Sequence, residues 1–147
     1  MWLMLIPITL CVEAVYHDVK RREIPDSVNA RILLTALLVT CLTWHSVTLA
    51  DALIGMLIGF FAVLPFTLKD GIGGGDLKLV AALGAWLGGG ATLGFLFWSA
   101  MCGMVMAITT HLLGRKDFPF APAIASGFLI AICWPNALTR LIELLRG

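Results

Sequence analysis

Two aspartates stand apart from the other acidic residues of this chain. Asp18 closes an apolar run covering 1–17, and Asp76 opens another, immediately before LKLVAALGAWLG. A carboxylate beside a long apolar segment is costly to keep, so each demands a chemical reason. If the two converge, like charges a few ångströms apart cannot both ionise, and the pair shares one proton. The ionised partner then deprotonates a water that attacks a peptide carbonyl. The protonated partner polarises that carbonyl and later protonates the leaving nitrogen. Such a pair titrates as a unit, and the sequence assigns neither role to either aspartate. The residues ahead of Asp76 favour the same chemistry. In Gly71-Ile72-Gly73-Gly74-Gly75 four of five positions lack a side chain, so an extended peptide can lie close to this backbone. The competing reading is a plain loop whose aspartate caps the following helix. From these residues alone the two readings are balanced.

The other ionisable groups divide by position. Most of the remaining acidic residues, Glu23, Asp26, Asp70 and Asp117 among them, sit beside basic neighbours and need no role beyond solvation. Glu13 lies five residues before Asp18 within the first apolar run. Burial there costs on the order of 2–3 kcal/mol, so Glu13 either supports the pair through a hydrogen bond or faces a polar gap. Lys78 orients a substrate carboxylate or anchors its helix at a basic membrane face. His17, His45 and His111 show no ligand spacing. Cys11, Cys41, Cys102 and Cys133 all lie in apolar stretches without a Cys-x-x-Cys pair, and read as small hydrophobes. Neither a metal, a cofactor nor a disulfide framework is expected.

The elements that must position the pair follow from composition. The chain has 147 residues, 60% hydrophobic and 13% charged, where soluble domains run near about half and about a quarter. It lacks the polar surface to face water and reads as an integral membrane protein of one domain. A net charge of +1, with ten lysines and arginines scattered between apolar runs, excludes a nucleic-acid partner. No basic residue precedes the first apolar run and no small-x-small site follows it, so it reads as a retained span rather than a cleaved signal. A bilayer core needs about 20 mostly apolar residues per helix. Spans are predicted at 1–17, 28–48, 50–68, 77–88, 91–113 and 121–135, with the long stretch 77–113 split at Gly88-Gly89-Gly90. The tail 136–147 extends the last span or lies as an amphipathic helix at the interface. The expected fold is all-α: about six transmembrane helices in one compact bundle. Its small-xxx-small pairs include Gly55/Gly59 and Gly84/Gly88, and Pro65 kinks the third span.

With six spans, eight basic residues fall in one set of loops and two in the other. Basic loops stay in the cytoplasm. Loops 18–27, 69–76 and 114–120 are therefore expected at the cytoplasmic face, with both termini outside. That parity places Asp18 and Asp76 on the same side and at the same depth.

Three segments carry a resemblance to a known family. They are YHDVKRREIPD, in which Asp18 precedes Ile24-Pro25; Gly73-Gly74-Gly75-Asp76-Leu77-Lys78; and Phe118-Pro119-Phe120-Ala121-Pro122, with Gly127 beyond. The chain resembles the bacterial prepilin peptidases along nearly its whole length. These are membrane aspartic enzymes that remove the basic leader of type IV prepilins and pseudopilins. The resemblance implies Asp18 and Asp76 as the catalytic pair. It implies a substrate-binding or site-shaping role for Gly73, Gly74, Gly75, Ile24, Pro25, Lys78, Pro119, Phe120 and Pro122. It implies a prepilin partner whose leader lies in the cytoplasm and whose apolar segment lies in the lipid of the inner membrane. Asp26 stands where the family usually has asparagine; this third carboxylate either perturbs the pair or pairs with Arg22. Larger members carry a cytoplasmic Cys-x-x-Cys domain associated with N-methylation. Only nine residues separate Asp18 from Val28, so the chain resembles the short form of tight-adherence (Flp) pilus systems, a single peptidase domain over 1–147 that cleaves without methylating. Nothing in the sequence specifies an oligomer.

Two other classes compete. A small proton-coupled carrier would relay protons through Glu13, Asp18 and Asp76, but these sit at one face and no repeat of broken helices is visible. A non-catalytic pilus or secretion assembly subunit would need no paired carboxylates. A presenilin-like protease shares Gly-x-Gly-Asp, but the Ile-Pro segment and small size favour the prepilin branch.

Overall fold

The computed structural model describes residues 2–42, 47–69, 71–114, 119–135 and 144. The expected tail helix, His45, Asp70 and the segment 115–118 lie outside them. Among the described residues the fold is all-helical: a short 3₁₀ turn, then α1 (Leu5–Arg21), α2 (Asp26–Cys41), α3 (Leu49–Thr67), α4 (Gly74–Leu112) and α5 (Ala121–Cys133), without strands.

Helix α1 turns one face inward through Pro7, Cys11, Ala14 and Asp18, the 4-3-4 spacing of a single helix stripe. The last member of this core stripe is a carboxylate. α1 runs one turn past the apolar segment, carrying Lys20 and Arg21 at its C-terminal end, where the helix dipole favours them. It stops at Arg22, whose left-handed backbone (φ 58°) returns its N–H to the Asp18 carbonyl at 2.9 Å. Pro25, extended at ψ 135°, then starts α2.

The fourth and fifth predicted spans form one 39-residue element, α4, broken where the glycine run stands: Gly88 has φ 76° and ψ 171°. A side chain at Gly88 would also collide with the Asp51 carboxylate. Asp51 accepts the Gly89 N–H at 3.1 Å, and the Thr92 hydroxyl donates to the Gly88 carbonyl at 2.6 Å. The break is therefore satisfied by side chains instead of water. α3 lies against α4 at backbone distance, because a Cβ on Gly55 would strike the Gly84 carbonyl and one on Gly59 would come within 2.9 Å of the Val80 carbonyl oxygen.

α4 packs on α2, α3 and α5, whereas α1 packs mainly on α2 and α5. The core between them is filled by Trp86, Phe95, Phe128, Ile32, Leu79 and Leu83, all fully buried. Two helices, Leu49–Thr67 and Gly74–Leu112, are long and apolar enough to cross a membrane, and only 22% of the apolar stretch of each is buried inside the bundle. The outward faces carry Val12, Tyr16 and Val19 on α1, Leu34 and Leu38 on α2, and Leu57 and Phe61 on α3. A surface this apolar suits hydrocarbon.

Candidate active site

Asp18 and Asp76, 58 positions apart in sequence, line one cavity of about 240 Å³ together with Arg22, Glu23, Ile24, Asp26, Gly73, Gly74 and Gly75. Both are core residues by exposure, 6% for Asp18 and 9% for Asp76, and they are near enough to interact electrostatically. Their helices pack mainly on other elements. α2 and α5, which touch both, bring the two carboxylates together.

Asp18 is held by the start of α5. Its Oδ2 accepts the Ala121 N–H at 2.9 Å, a buried contact. The sequence of this first turn explains why that donor is free. Pro122 has no N–H, and the N–H groups of Ala123 and Ile124 return to the Phe120 carbonyl at 3.0 and 3.2 Å. A helix leaves its first donors unpaired, and here the remaining one points at a carboxylate. Phe120 packs beneath Gly103 of α4, 2.9 Å from the position a Cβ would take there, and so seats the turn.

Asp76 lies in the first turn of α4. The turn is closed by the Gly73 carbonyl, which accepts from the Asp76 and Leu77 N–H groups at 3.1 and 3.2 Å. The Asp76 Oδ1 is buried and meets no donor among the described residues. Gly73 has φ −64° and ψ 147°, a conformation open to any residue, so space is what matters in this loop. A Cβ at Gly75 would come within 3.2 Å of the Ile24 Cβ, while one at Gly74 would meet nothing within 4 Å. Gly75 is closed down against Ile24; Gly74 is open to the cavity.

The start of α2 clamps the glycine loop. Ile24 covers Gly75, Lys78 Nζ donates to Asp26 Oδ1 at 2.7 Å, and Asn29 Nδ2 donates to the Gly75 carbonyl at 3.0 Å. The sequence offers Arg22 to Asp26, and a substrate carboxylate or a basic membrane face to Lys78; in the fold Lys78 pairs with Asp26. Glu13 pairs with Arg31 of α2 at 2.6 Å and does not line the cavity. Pro25 caps α2, and Pro119, Phe120 and Pro122 shape the entry to α5 without lining the cavity. Asn29 and the Ala121 N–H escaped the sequence reading. Asn29 left one signal: it is a polar residue beside the buried stripe Val28, Ile32, Ala36 and Val39.

These contacts differ in weight. Asn29→Ala leaves the Gly75 carbonyl without its donor and should destabilise the protein by about 1–3 kcal/mol, lowering the thermal midpoint in detergent. Lys78→Met breaks an exposed ion pair and should change stability by no more than about 1 kcal/mol. Equal losses for the two variants would mean that the clamp is not built as described.

The all-helical bundle buries two carboxylates beside a glycine turn. Residues 4–108 match the type IV leader peptidase family, and the chain belongs to that family. It is 36% identical over 140 residues to the prepilin leader peptidase/N-methyltransferase of Aeromonas hydrophila, covering 88% of this chain and 48% of that protein. It is 32% identical over 127 residues to the enzyme of the same name from Neisseria gonorrhoeae, covering 81% and 44%. The chain spans about half the length of the curated relatives it matches. No solved structure matches it.

Proposed function

We propose that this chain is a membrane aspartic endopeptidase that removes the leader of type IV prepilins or pseudopilins at the cytoplasmic face of the bacterial inner membrane. The observation that carries the reading is the burial of Asp18 and Asp76 in one cavity walled by side-chain-free backbone. A prepilin backbone lying along Gly73–Gly75 would present its carbonyl between the carboxylates. Water bonds to the carbonyl carbon as one aspartate takes its proton and the other gives a proton to the carbonyl oxygen. On collapse the leaving nitrogen takes the proton that the first aspartate drew from water, in place of one from the second as the sequence alone suggests; the C–N bond breaks, and the second recovers its proton from the hydroxyl. The pair returns to its starting state without a cofactor.

The proposed protein is a single peptidase domain crossing the membrane six times, with the break at Gly88 separating two crossings of α4. Lipid covers its outward apolar faces. An apolar cavity of about 530 Å³ begins at Asp26 and Lys78 and continues along Leu33, Met56 and Phe60, giving an apolar substrate segment a path away from the carboxylates. Residues 19–27 hold no Cys-x-x-Cys pair, and the activity proposed is cleavage alone, without N-methylation. The direct test is cleavage of a synthetic prepilin leader-junction peptide by the purified chain in lipid nanodiscs. An uncut peptide under conditions where the chain is folded would overturn the reading.

Orientation is tested separately. In a chain with its four native cysteines replaced, a cysteine at Lys20 should resist a membrane-impermeant thiol reagent in intact cells and react once the membrane is opened. Labelling in intact cells would place the two aspartates on the wrong side for a cytoplasmic leader.

A further inference from the structure

We infer that the first turn of α5 divides the labour of the pair: the Ala121 N–H holds Asp18 as the ionised, water-activating partner, and Asp76 carries the shared proton. The inference rests on the peptidase reading above and goes beyond it by naming which carboxylate does what. Two independent observations carry it. The Asp18 Oδ2 accepts a backbone N–H at 2.9 Å from a fully buried residue at a helix N-terminus, a charge-assisted contact that favours the anion. The Asp76 Oδ1, equally enclosed, has no donor among the described residues. An anion in that position leaves a buried acceptor unpaired, whereas a carboxyl there has an O–H to offer a substrate carbonyl.

Two diffuse effects run the other way. Asp18 sits near the C-terminal end of α1, and Asp76 in the first turn of α4, so the helix dipoles alone would favour the reverse assignment. A direct, buried hydrogen bond outweighs a dipole that is partly answered by Lys20 and Arg21 at the end of α1. The charged neighbours from the surrounding elements are Arg22 and Glu23 after α1 and Asp26 on α2, paired with Lys78 of α4; His17 precedes Asp18 on α1. α5 itself carries no titratable residue near the contact, and Lys116 and Asp117 ahead of it fall outside the described residues. None of these groups changes in the variant that tests the idea, so their contributions cancel in the comparison.

Ala121→Pro removes the donor at the first helical position. Phe120 before it is in the αR region (φ −90°, ψ −25°), which a following proline disfavours, so the variant's thermal midpoint is compared with the parent's and the infrared measurement below decides where the two differ. The purified full chain in nanodiscs, cleaving the leader-junction peptide, should show the acid limb of kcat/KM displaced upward by about one to two pH units, the basic limb staying in place. Ala121→Gly, which retains the N–H, should restore the acid limb of the parent. A profile for Ala121→Pro that superimposes on the parent's, or one in which only the basic limb moves, would overturn the assignment. A second measurement needs neither turnover nor that variant. In the infrared spectrum at neutral pH, the carboxylic-acid stretch of the pair should vanish in Asp76→Asn. A stretch that survives in Asp76→Asn and is lost in Asp18→Asn would sink the inference. Because the spectrum records charge without cleavage, an uncut peptide would count against the peptidase reading while leaving the assignment of the proton to be decided by the spectrum.

Discussion

Asp18→Asn and Asp76→Asn should each reduce prepilin cleavage by on the order of 10²–10⁴-fold or more, while the protein still accumulates folded in the membrane. Asparagine keeps the size of the side chain. At position 18 its amide oxygen can still accept the Ala121 N–H, so the α1–α5 contact survives. What is lost is the titratable proton on which the shared-proton mechanism depends. Asp18→Glu should cost ~10²-fold, because one added methylene shifts the carboxylate by about 1 Å against a fixed backbone donor. Asp70→Asn, outside the proposed machinery, should cleave at the parental rate. Cleavage by either asparagine variant at a rate near the parent's would remove the aspartic mechanism and bring the proton-coupled carrier forward.

Gly55→Val should prevent stable folding. A Cβ at Gly55 meets the backbone carbonyl of Gly84 and lies 2.8 Å from the Gly88 carbonyl carbon. Neither is a flexible side-chain end, so α3 and α4 must move apart. Overpacking of cores costs about 1–3 kcal/mol and occasionally more, and a backbone-to-backbone clash belongs at or above the upper end. The expected result is loss of the folded band in size-exclusion chromatography, or a greatly lowered thermal midpoint. Gly90 is the internal comparison: a Cβ there meets nothing within 4 Å. Gly90→Ala, if its helical backbone is kept, should be neutral or stabilising by up to about 1 kcal/mol. Equal tolerance at both positions would mean that the close α3–α4 approach is not part of the fold.

Much of the fold was legible because its signals are local. The runs 50–68 and 121–135 anticipate α3 and α5 within a residue or two, since an apolar run and a helix-starting proline act on their own neighbourhood. The break at Gly88 was visible for the same reason: three consecutive glycines weaken a helix wherever they stand. The end of α1 was not. Its apolar run stops at 17, yet the helix continues to Arg21, because cationic residues suit a helix C-terminus as well as a loop.

For the site, the sequence by itself singled out the two aspartates proposed to carry the chemistry. Asp18 ends the stripe Pro7, Cys11, Ala14, and Asp76 follows three glycines. Tertiary structure decided every partnership: Ala121 for Asp18 across 103 positions, Gly75 for Asn29, Lys78 for Asp26, Arg31 for Glu13 and Gly89 for Asp51. The physical reason is that helical periodicity and backbone preference act within a few residues along the chain. Which donor reaches which carboxylate depends instead on how closely helices approach. That approach is set by glycines such as Gly55, Gly84 and Gly75, whose missing side chains announce room and do not say what will fill it.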